Sequence, residues 1–232
     1  MKPTLLFIHG AAGNHRVWEY QLRFFDNATA IDLAGHDGGA GKSTIDEYVE
    51  EVKKFCDERS LGNIVMIGHS MGGAIAQKFA LDHPEYLKAI VLVCTGAKLR
   101  VKTVIFDSIR KDYVQAVELA TEFAFSCKTP SEIKKRAAKE MMKISSEVTY
   151  GDFEACDKFD IMNRLKEMKS PTLIICGSED QLIPVKYSEY LKDNIPNSKL
   201  EMIADAGHMV MLERPKEFNG ILQKFIKELS HS

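Results

Sequence analysis

A short glycine-rich sequence contains the residue with the clearest chemical potential in this chain. Residues 68–73 read GHSMGG, and they directly follow the apolar segment NIVMI and directly precede a helix-like run. A serine between glycines on a strand-to-helix turn has the pattern of a nucleophile elbow, whose tight backbone requires small neighbouring residues. The following helix would direct backbone N–H groups at developing negative charge. We interpret Ser70 as a nucleophile; the alternative is a glycine-rich turn with an ordinary N-capping serine.

A serine hydroxyl is weakly nucleophilic at neutral pH, so this interpretation requires a base and an acid that orients the base. GSEDQLIP follows the strand-like PTLIIC, and ADAGHMVMLERP follows the strand-like KLEMI. Residues just beyond parallel strands meet at one edge of a sheet. The chain order Ser, Asp, His also agrees with one known order of such sites. We therefore predict Asp180 as the acid and His208 as the base, with Glu179 and Asp205 as alternatives for the acid.

Six other histidines compete with His208 for the role of base. Three of them, His9, His36 and His69, also lie close to glycines at predicted strand ends. A base must approach Ser70 from the loop of another strand, so we expect His9 and His69 to orient loops by hydrogen bonding. The position of His208 after the last predicted strand favours it as the base.

A second loop of small residues, HGAAG at 9–13, ends the first predicted strand. Such a loop can bring a backbone N–H towards the oxyanion that forms when a serine attacks a carbonyl. We predict that the backbone N–H groups of Ala11 and Met71 form this oxyanion hole. The alternative for the HGAAG loop is a plain turn at a strand end.

Short apolar segments alternate with helix-like stretches along the chain, a pattern typical of a parallel sheet covered by helices on both faces. Helical spacing is clearest in residues 43–58, where Ser43 and Thr44 are candidate caps, and in residues 217–229. The six predicted strands are 4–8, 28–32, 63–67, 88–94, 171–176 and 199–203. The sequence therefore predicts an α/β fold with a mostly parallel six-stranded sheet.

The alternation stops after the fourth predicted strand, and residues 97–169 are rich in helix formers. We predict that this segment is a helical cap inserted into a core formed by residues 1–96 and 170–232. Apolar side chains of the segment could line a substrate cavity or pack the cap onto the core, and packing is favoured for any single residue. These side chains are Phe106, Tyr113, Phe123, Phe125, Met141, Met142 and Met162.

Composition excludes several classes of function. The net charge is only −2, which gives no electrostatic basis for binding nucleic acid or an anionic membrane. The chain contains no apolar run of the length expected for a signal peptide or a membrane span, so we expect a cytoplasmic protein. The five cysteines lack metal-binding spacing and are predicted to be buried thiols; we predict neither a metal nor a cofactor.

Taken together, these motifs resemble the α/β-hydrolase superfamily, and in particular its small-capped esterases and lipase-like hydrolases. The similar segments are, in order, FIHGAAG, DLAGHDGGAGKS, GHSMGG, PTLIICGSEDQLIP and AGHMVMLERPKEF. The resemblance covers about 1–96 and 170–232 but not the cap. It implies the roles assigned above to Ser70, Asp180 and His208. Serine at the nucleophile position distinguishes the chain from the epoxide hydrolase and haloalkane dehalogenase branches, which use aspartate.

The function predicted on this basis is hydrolysis of carboxylic esters of short or medium acyl chain through an acyl-enzyme, with a small-molecule ester as partner. A helical cap with apolar side chains favours an enclosed pocket of modest size. Two alternatives remain. The same residues could cleave a carbon–carbon bond or act as a lyase, or the protein could be a ligand receptor without catalysis.

Overall fold

Six parallel strands form one central sheet in a computed structural model that describes residues 2–229. The strands are β1 (Thr4–Ile8), β2 (Ala28–Ile31), β3 (Ile64–His69), β4 (Leu87–Val93), β5 (Thr172–Gly177) and β6 (Ser198–Ile203). Their order across the sheet is β2-β1-β3-β4-β5-β6, and all five pairings are parallel. The predicted fold class is confirmed, and every predicted strand is present with its ends shifted by at most two residues.

Helices cover both faces of this sheet because its strands alternate apolar side chains between the faces. Leu6 and Ile8 pack in one core layer, whereas Leu5 and Phe7 pack in the other. The first layer includes side chains from α2 (Ile45–Glu58), α3 (Met71–Asp82) and α8 (Lys186–Asn194). The second layer includes side chains from α1 (Glu19–Phe24), α9 (Val210–Glu213) and α10 (Pro215–Leu229).

The predicted cap of α2 is present at one of its two candidate residues. The Thr44 side chain accepts a hydrogen bond from the Glu47 backbone N–H, so α2 begins at the next residue, Ile45. This helix buries Ile45, Val49 and Val52, which have helical spacing in the sequence, and it also buries Tyr48.

The segment between β4 and β5 contains helices and no strand of the sheet. Its helices are α4 (Thr103–Lys111), α5 (Tyr113–Ala124), α6 (Ser131–Met141) and α7 (Ser146–Lys158), followed by a 3₁₀ turn at Met162–Glu167. An antiparallel bridge between Lys98 and Asp160 ties the two ends of the segment together. Division of the chain into a core and a cap at 97–169 stays a prediction. Within residues 2–229, every helix is too short or too polar to cross a membrane.

Candidate active site

Ser70 lies on the turn between the end of β3 and the start of α3. Its backbone has φ 52° and ψ −114°, a left-handed conformation that costs free energy for any residue other than glycine. Neighbouring glycines make this turn possible. A Cβ on Gly68 would lie 2.1 Å from the carbonyl oxygen of Gly72, and a Cβ on Gly72 would lie 2.4 Å from that of Ile8. The turn therefore presents Ser70 at the carboxyl edge of the sheet, as the GHSMGG pattern predicted.

His208 and Asp180 contact each other on the loops that follow β6 and β5. The Nδ1 atom of His208 lies 2.8 Å from Oδ2 of Asp180, and both side chains are almost fully buried. The other carboxylate oxygen of Asp180 accepts the backbone N–H groups of Leu182 and Ile183, at 2.9 and 2.8 Å. These hydrogen bonds fix the orientation of the carboxylate. Because Nδ1 of His208 faces this acceptor, it carries the ring proton, and Nε2 is left as a hydrogen-bond acceptor.

Backbone contacts hold His208 and Ser70 at the same edge of the sheet. The carbonyl of His208 accepts a hydrogen bond from His69 Nε2 at 3.0 Å. The backbone N–H of His208 donates to the carbonyl of Ala124 at 2.8 Å. The N–H of Ser70 donates to the carbonyl of Val93 at 2.9 Å. Burial and the neighbouring His208 hold the pKa of His69 well below its usual value, so His69 is a neutral donor.

The alternative acids lie apart from the His208 ring and have other partners. Ser126 donates its hydroxyl to Glu179 at 2.5 Å, and Lys128 forms an ion pair with Asp205. Both carboxylates are partly exposed, whereas the side chain of Asp180 is fully buried. The structure therefore brings Asp180, and neither alternative, to His208.

The HGAAG loop packs directly against the Ser70 turn. A Cβ on Gly10 would lie 3.1 Å from Cβ of Ser70, which shows how closely the two loops approach. Ala11 lines the same cavity as Ser70 and His208. Met71 is the first residue of α3, immediately after Ser70. One predicted oxyanion donor thus lies in the loop that packs against Ser70, and the other is at the start of the helix that follows Ser70.

Cys94 is a neighbour of the site that sequence reasoning did not single out. Within the part of the chain that is described, the sulfur of Cys94 and side-chain atoms of Asp180 and His208 form the one cluster with metal-binding proximity, all within 4.8 Å of one another. Burial, and then the Asp180 charge, raise the pKa of this thiol well above its usual value. Metals bind the thiolate, so a protonated thiol that donates to Asp180 fits this trio better than an ion. Its position directly after β4 is the sequence signal that could have indicated it.

A cavity of about 240 Å³ opens beside Ser70, between the sheet edge and the helices of the 97–169 segment. Seven aromatic and apolar side chains of residues 97–169 were predicted either to line a substrate cavity or to pack the segment onto the core. Of these, Phe125 and Met141 line this cavity. Phe106 instead packs its ring on Tyr150, and Tyr113 hydrogen-bonds to Thr149. Three other members of the set are exposed to solvent: Phe123, Met142 and Met162.

Comparison with known proteins identifies the family. The family model for the alpha/beta hydrolase fold matches residues 3–215. The chain belongs to the α/β-hydrolase family. A solved structure of a thermophilic esterase is 35% identical, with a TM-score of 0.85, and the match covers 97% of this chain and 90% of the esterase. The esterase of Exiguobacterium antarcticum is 22% identical with a TM-score of 0.91, over 97% of this chain and 92% of its own.

A curated relative of this α/β-hydrolase is monoacylglycerol lipase ABHD6 of Bos taurus. The two are 23% identical over an alignment of 254 positions, gaps included, which covers 97% of this chain and 75% of the relative. The part of the chain that the family model matches contains all six strands and the loops that carry Ser70, Asp180 and His208. The resemblance noted from the motifs is therefore confirmed at the level of the family, and the helices between β4 and β5 lie inside the match.

Proposed function

We propose that this α/β-hydrolase cleaves carboxylic esters of short or medium acyl chain through an acyl-enzyme on Ser70. The observation that carries the proposal is the 2.8 Å hydrogen bond between His208 and Asp180 beside a cavity lined by both His208 and Ser70. A base with a fixed tautomer next to a serine on a strained turn is what nucleophilic acyl transfer requires. The 35% identity to a thermophilic esterase supports an ester as the substrate.

In the first half of the proposed reaction, Nε2 of His208 removes the hydroxyl proton as Ser70 attacks the carbonyl carbon. The carbonyl oxygen becomes an oxyanion, which accepts hydrogen bonds from the N–H groups of Ala11 and Met71. Asp180 stabilises the imidazolium that forms on His208. The imidazolium then protonates the departing alcohol, and the acyl group remains on Ser70.

In the second half, His208 removes a proton from water, and the resulting hydroxide attacks the acyl carbon. A second oxyanion forms and collapses, the Ser70 oxygen takes the proton back from His208, and the carboxylic acid leaves. These steps use only side chains and backbone N–H groups of the chain itself. The proposal therefore includes no metal and no organic cofactor.

The preference for short or medium acyl chains is inferred from the cavity. Its volume of about 240 Å³ is small for a lipid with long chains, and the side chains of Phe125, Met141 and Phe153 offer apolar contacts. We propose that residues 97–169 act as a cap over this cavity and that residues 1–96 and 170–232 form the catalytic core.

A cytoplasmic location belongs to the same proposal. All five cysteines lie in the described part of the chain and are free thiols, four of them buried. Free thiols in such number are typical of a reducing compartment, where disulfides are rare.

Hydrolysis of p-nitrophenyl esters from acetate to laurate would test the proposal, with wild type and Ser70→Ala compared at equal concentration. We expect wild-type turnover with an optimum at short or medium chains. Loss of the nucleophile should reduce kcat to near background. Because Ser70, His208 and Asp180 act as one unit in the proposed mechanism, we expect a loss of about a million-fold. Ser131→Ala, an exposed serine at the start of α6, is the matched control and should retain wild-type rates.

Absence of turnover on every ester, from a folded wild type, would contradict the proposed function. Assays of carbon–carbon bond cleavage in diketone-like substrates would then test the first alternative. Tight ligand binding without product release would favour a receptor.

A further inference from the structure

Asp152, on α7, is a buried carboxylate outside the proposed catalytic residues. Its side chain has no solvent exposure, so its oxygens must find their partners inside the protein. Its Oδ2 atom accepts the backbone N–H of Ala12 and faces Nε2 of His36, each at 2.8 Å. Its Oδ1 atom accepts the hydroxyl of Tyr48 at 2.6 Å. One carboxylate thus joins four parts of the fold: α7, α2 and the loops after β1 and β2.

His36 forms a buried ion pair with this carboxylate. Its Nε2 faces Asp152, and its Nδ1 lies 3.1 Å from the carbonyl oxygens of both Leu33 and Ala34. Both ring nitrogens therefore face acceptors, which requires a proton on each and makes the ring an imidazolium. Burial lowers the pKa of His36. The hydrogen bond and the charge of Asp152, together with the two carbonyls, raise this pKa by more than burial lowers it, so the pKa lies above its usual value. The His36 ring therefore lies against the same Asp152 oxygen that accepts the Ala12 N–H.

The peptide that carries the Ala11 N–H is held from its opposite side. His9 accepts the N–H of Leu33 at Nε2, at 3.1 Å, so the proton of its neutral ring lies on Nδ1. Burial, with the charge of His36, lowers the pKa of His9 to about 4 and keeps the ring neutral. Nδ1 donates to the carbonyl of Gly10 at 2.8 Å, and the Gly13 N–H donates to the same oxygen at 3.1 Å.

A peptide group is planar, and its C=O and N–H point in opposite directions. Two donors on the Gly10 carbonyl therefore turn the Ala11 N–H away from His9. The next peptide carries the Ala12 N–H, which Asp152 holds, and Ala12 has the left-handed φ of 54°. An alanine in this conformation relaxes to a negative φ unless its surroundings hold it. Asp152 supplies the charged hydrogen bond that holds it.

We propose that Asp152 is a positioning residue for the oxyanion hole, which fixes the direction of the Ala11 N–H by anchoring the adjacent Ala12 N–H. This inference rests on the proposed function, because the Ala11 N–H has a catalytic role only if Ser70 attacks a carbonyl. Since Asp152 lies on α7, the segment between β4 and β5 also sets the geometry of the loop after β1. Asp152 itself touches no reacting atom.

Steady-state kinetics of Asp152→Ala would test the proposal on the best p-nitrophenyl ester. Loss of a complete oxyanion donor costs about 10² to 10³ in kcat, so a misdirected donor should lower kcat about 10- to 100-fold. We expect KM to change less than twofold, since the ground-state carbonyl depends little on this donor. Affinity for a trifluoromethyl ketone, whose adduct with Ser70 is an oxyanion, should fall in parallel with kcat/KM.

Two further variants separate positioning from a general structural role. Asp152→Asn keeps an oxygen within reach of the Ala12 N–H and should restore kcat to within about fivefold of wild type, because a neutral bond is about half as strong as a charged one. Asp157 lies on the same helix and accepts the Val101 N–H at 3.0 Å, without contact to the oxyanion loop. Asp157→Ala is the matched control and should retain wild-type kcat.

If Asp152→Ala does not fold, a triple variant replaces it: Asp152→Leu, His36→Leu and Tyr48→Phe. Apolar replacement of a whole buried ion pair is often neutral or stabilising, and the anchor of Ala12 is still lost. A folded anchor-free variant with wild-type kcat and inhibitor affinity would overturn the inference. So would a loss of kcat in Asp152→Asn equal to that in Asp152→Ala. A wild type without Ser70-dependent ester hydrolysis would instead overturn the proposed function, before any Asp152 variant is measured.

Discussion

Both carboxylate oxygens of Asp180 have fixed partners, and this determines what the residue can do. One oxygen accepts from His208 Nδ1, while the other accepts the N–H groups of Leu182 and Ile183. The carboxylate is therefore unable to rotate without breaking two backbone hydrogen bonds. In the proposed mechanism, this fixed orientation keeps the proton of His208 on Nδ1 and its lone pair on Nε2.

Asp180→Asn should abolish most of the activity with little effect on stability. The amide oxygen of asparagine would accept the two backbone N–H groups, so its NH₂ would face His208 and shift the ring proton to Nε2. We expect kcat to fall about 10³- to 10⁴-fold with a nearly unchanged KM. Glu179→Gln changes the neighbouring carboxylate, which bonds Ser126 instead, and should alter kcat less than twofold. The opposite ranking of the two variants in steady-state assays would make Glu179 the acid.

At the scale of elements, the contact between β3 and α3 is what places Ser70 at the edge of the sheet. The turn is so tight that the backbone of Gly72 occupies the space where a side chain on Gly68 would project. The same helix then packs against β3 and β4 through small residues such as Ala74 and Ala76. The strained Ser70 conformation is therefore maintained by packing on both sides of the turn.

Gly68→Ala should destabilise the protein by about 3 kcal/mol or more, because its Cβ would overlap the carbonyl of Gly72. Gly220→Ala is a matched control: this glycine is in the interior of α10, and a Cβ there would have no neighbour within 4 Å. Alanine at position 220 should stabilise the helix by about 1 kcal/mol. Urea unfolding of the two variants measures both effects. Equal stability of Gly68→Ala and wild type would show that the turn is looser than described.

The sequence was sufficient for these elements because their signals are local. Apolar runs predicted all six strands, and the spacing of small residues in GHSMGG predicted the turn at Ser70. The partners of Asp152 lie 104 to 140 residues away along the chain, so no local pattern could indicate them. The position of Cys94 directly after β4 is a local signal, but its proximity to Asp180 also requires β4 and β5 to be neighbours in the sheet.

At the scale of the whole molecule, the helices between β4 and β5 contribute hydrogen bonds to the loops around the site. The carbonyl of Ala124, at the end of α5, accepts the N–H groups of both His208 and Met209, at 2.8 and 3.2 Å. Asp152 of α7 accepts the N–H of Ala12. These contacts reach the loops after β6 and β1, so both flanks of the cavity depend on the segment between β4 and β5. The cavity residues could not be assigned from the sequence, because apolar side chains of a helix look alike whether they pack or line a pocket.

Covalent labelling tests the central claim, that Ser70 is an activated nucleophile, most directly. A fluorophosphonate probe would be incubated with wild type and Ser70→Ala, and peptide mapping by mass spectrometry would locate the adduct. We predict one adduct on Ser70 in the wild type and none in the variant, since only a serine next to a positioned base reacts with such a probe. An adduct on another residue, equal labelling of Ser70→Ala, or an unlabelled wild type that still hydrolyses esters would contradict the account.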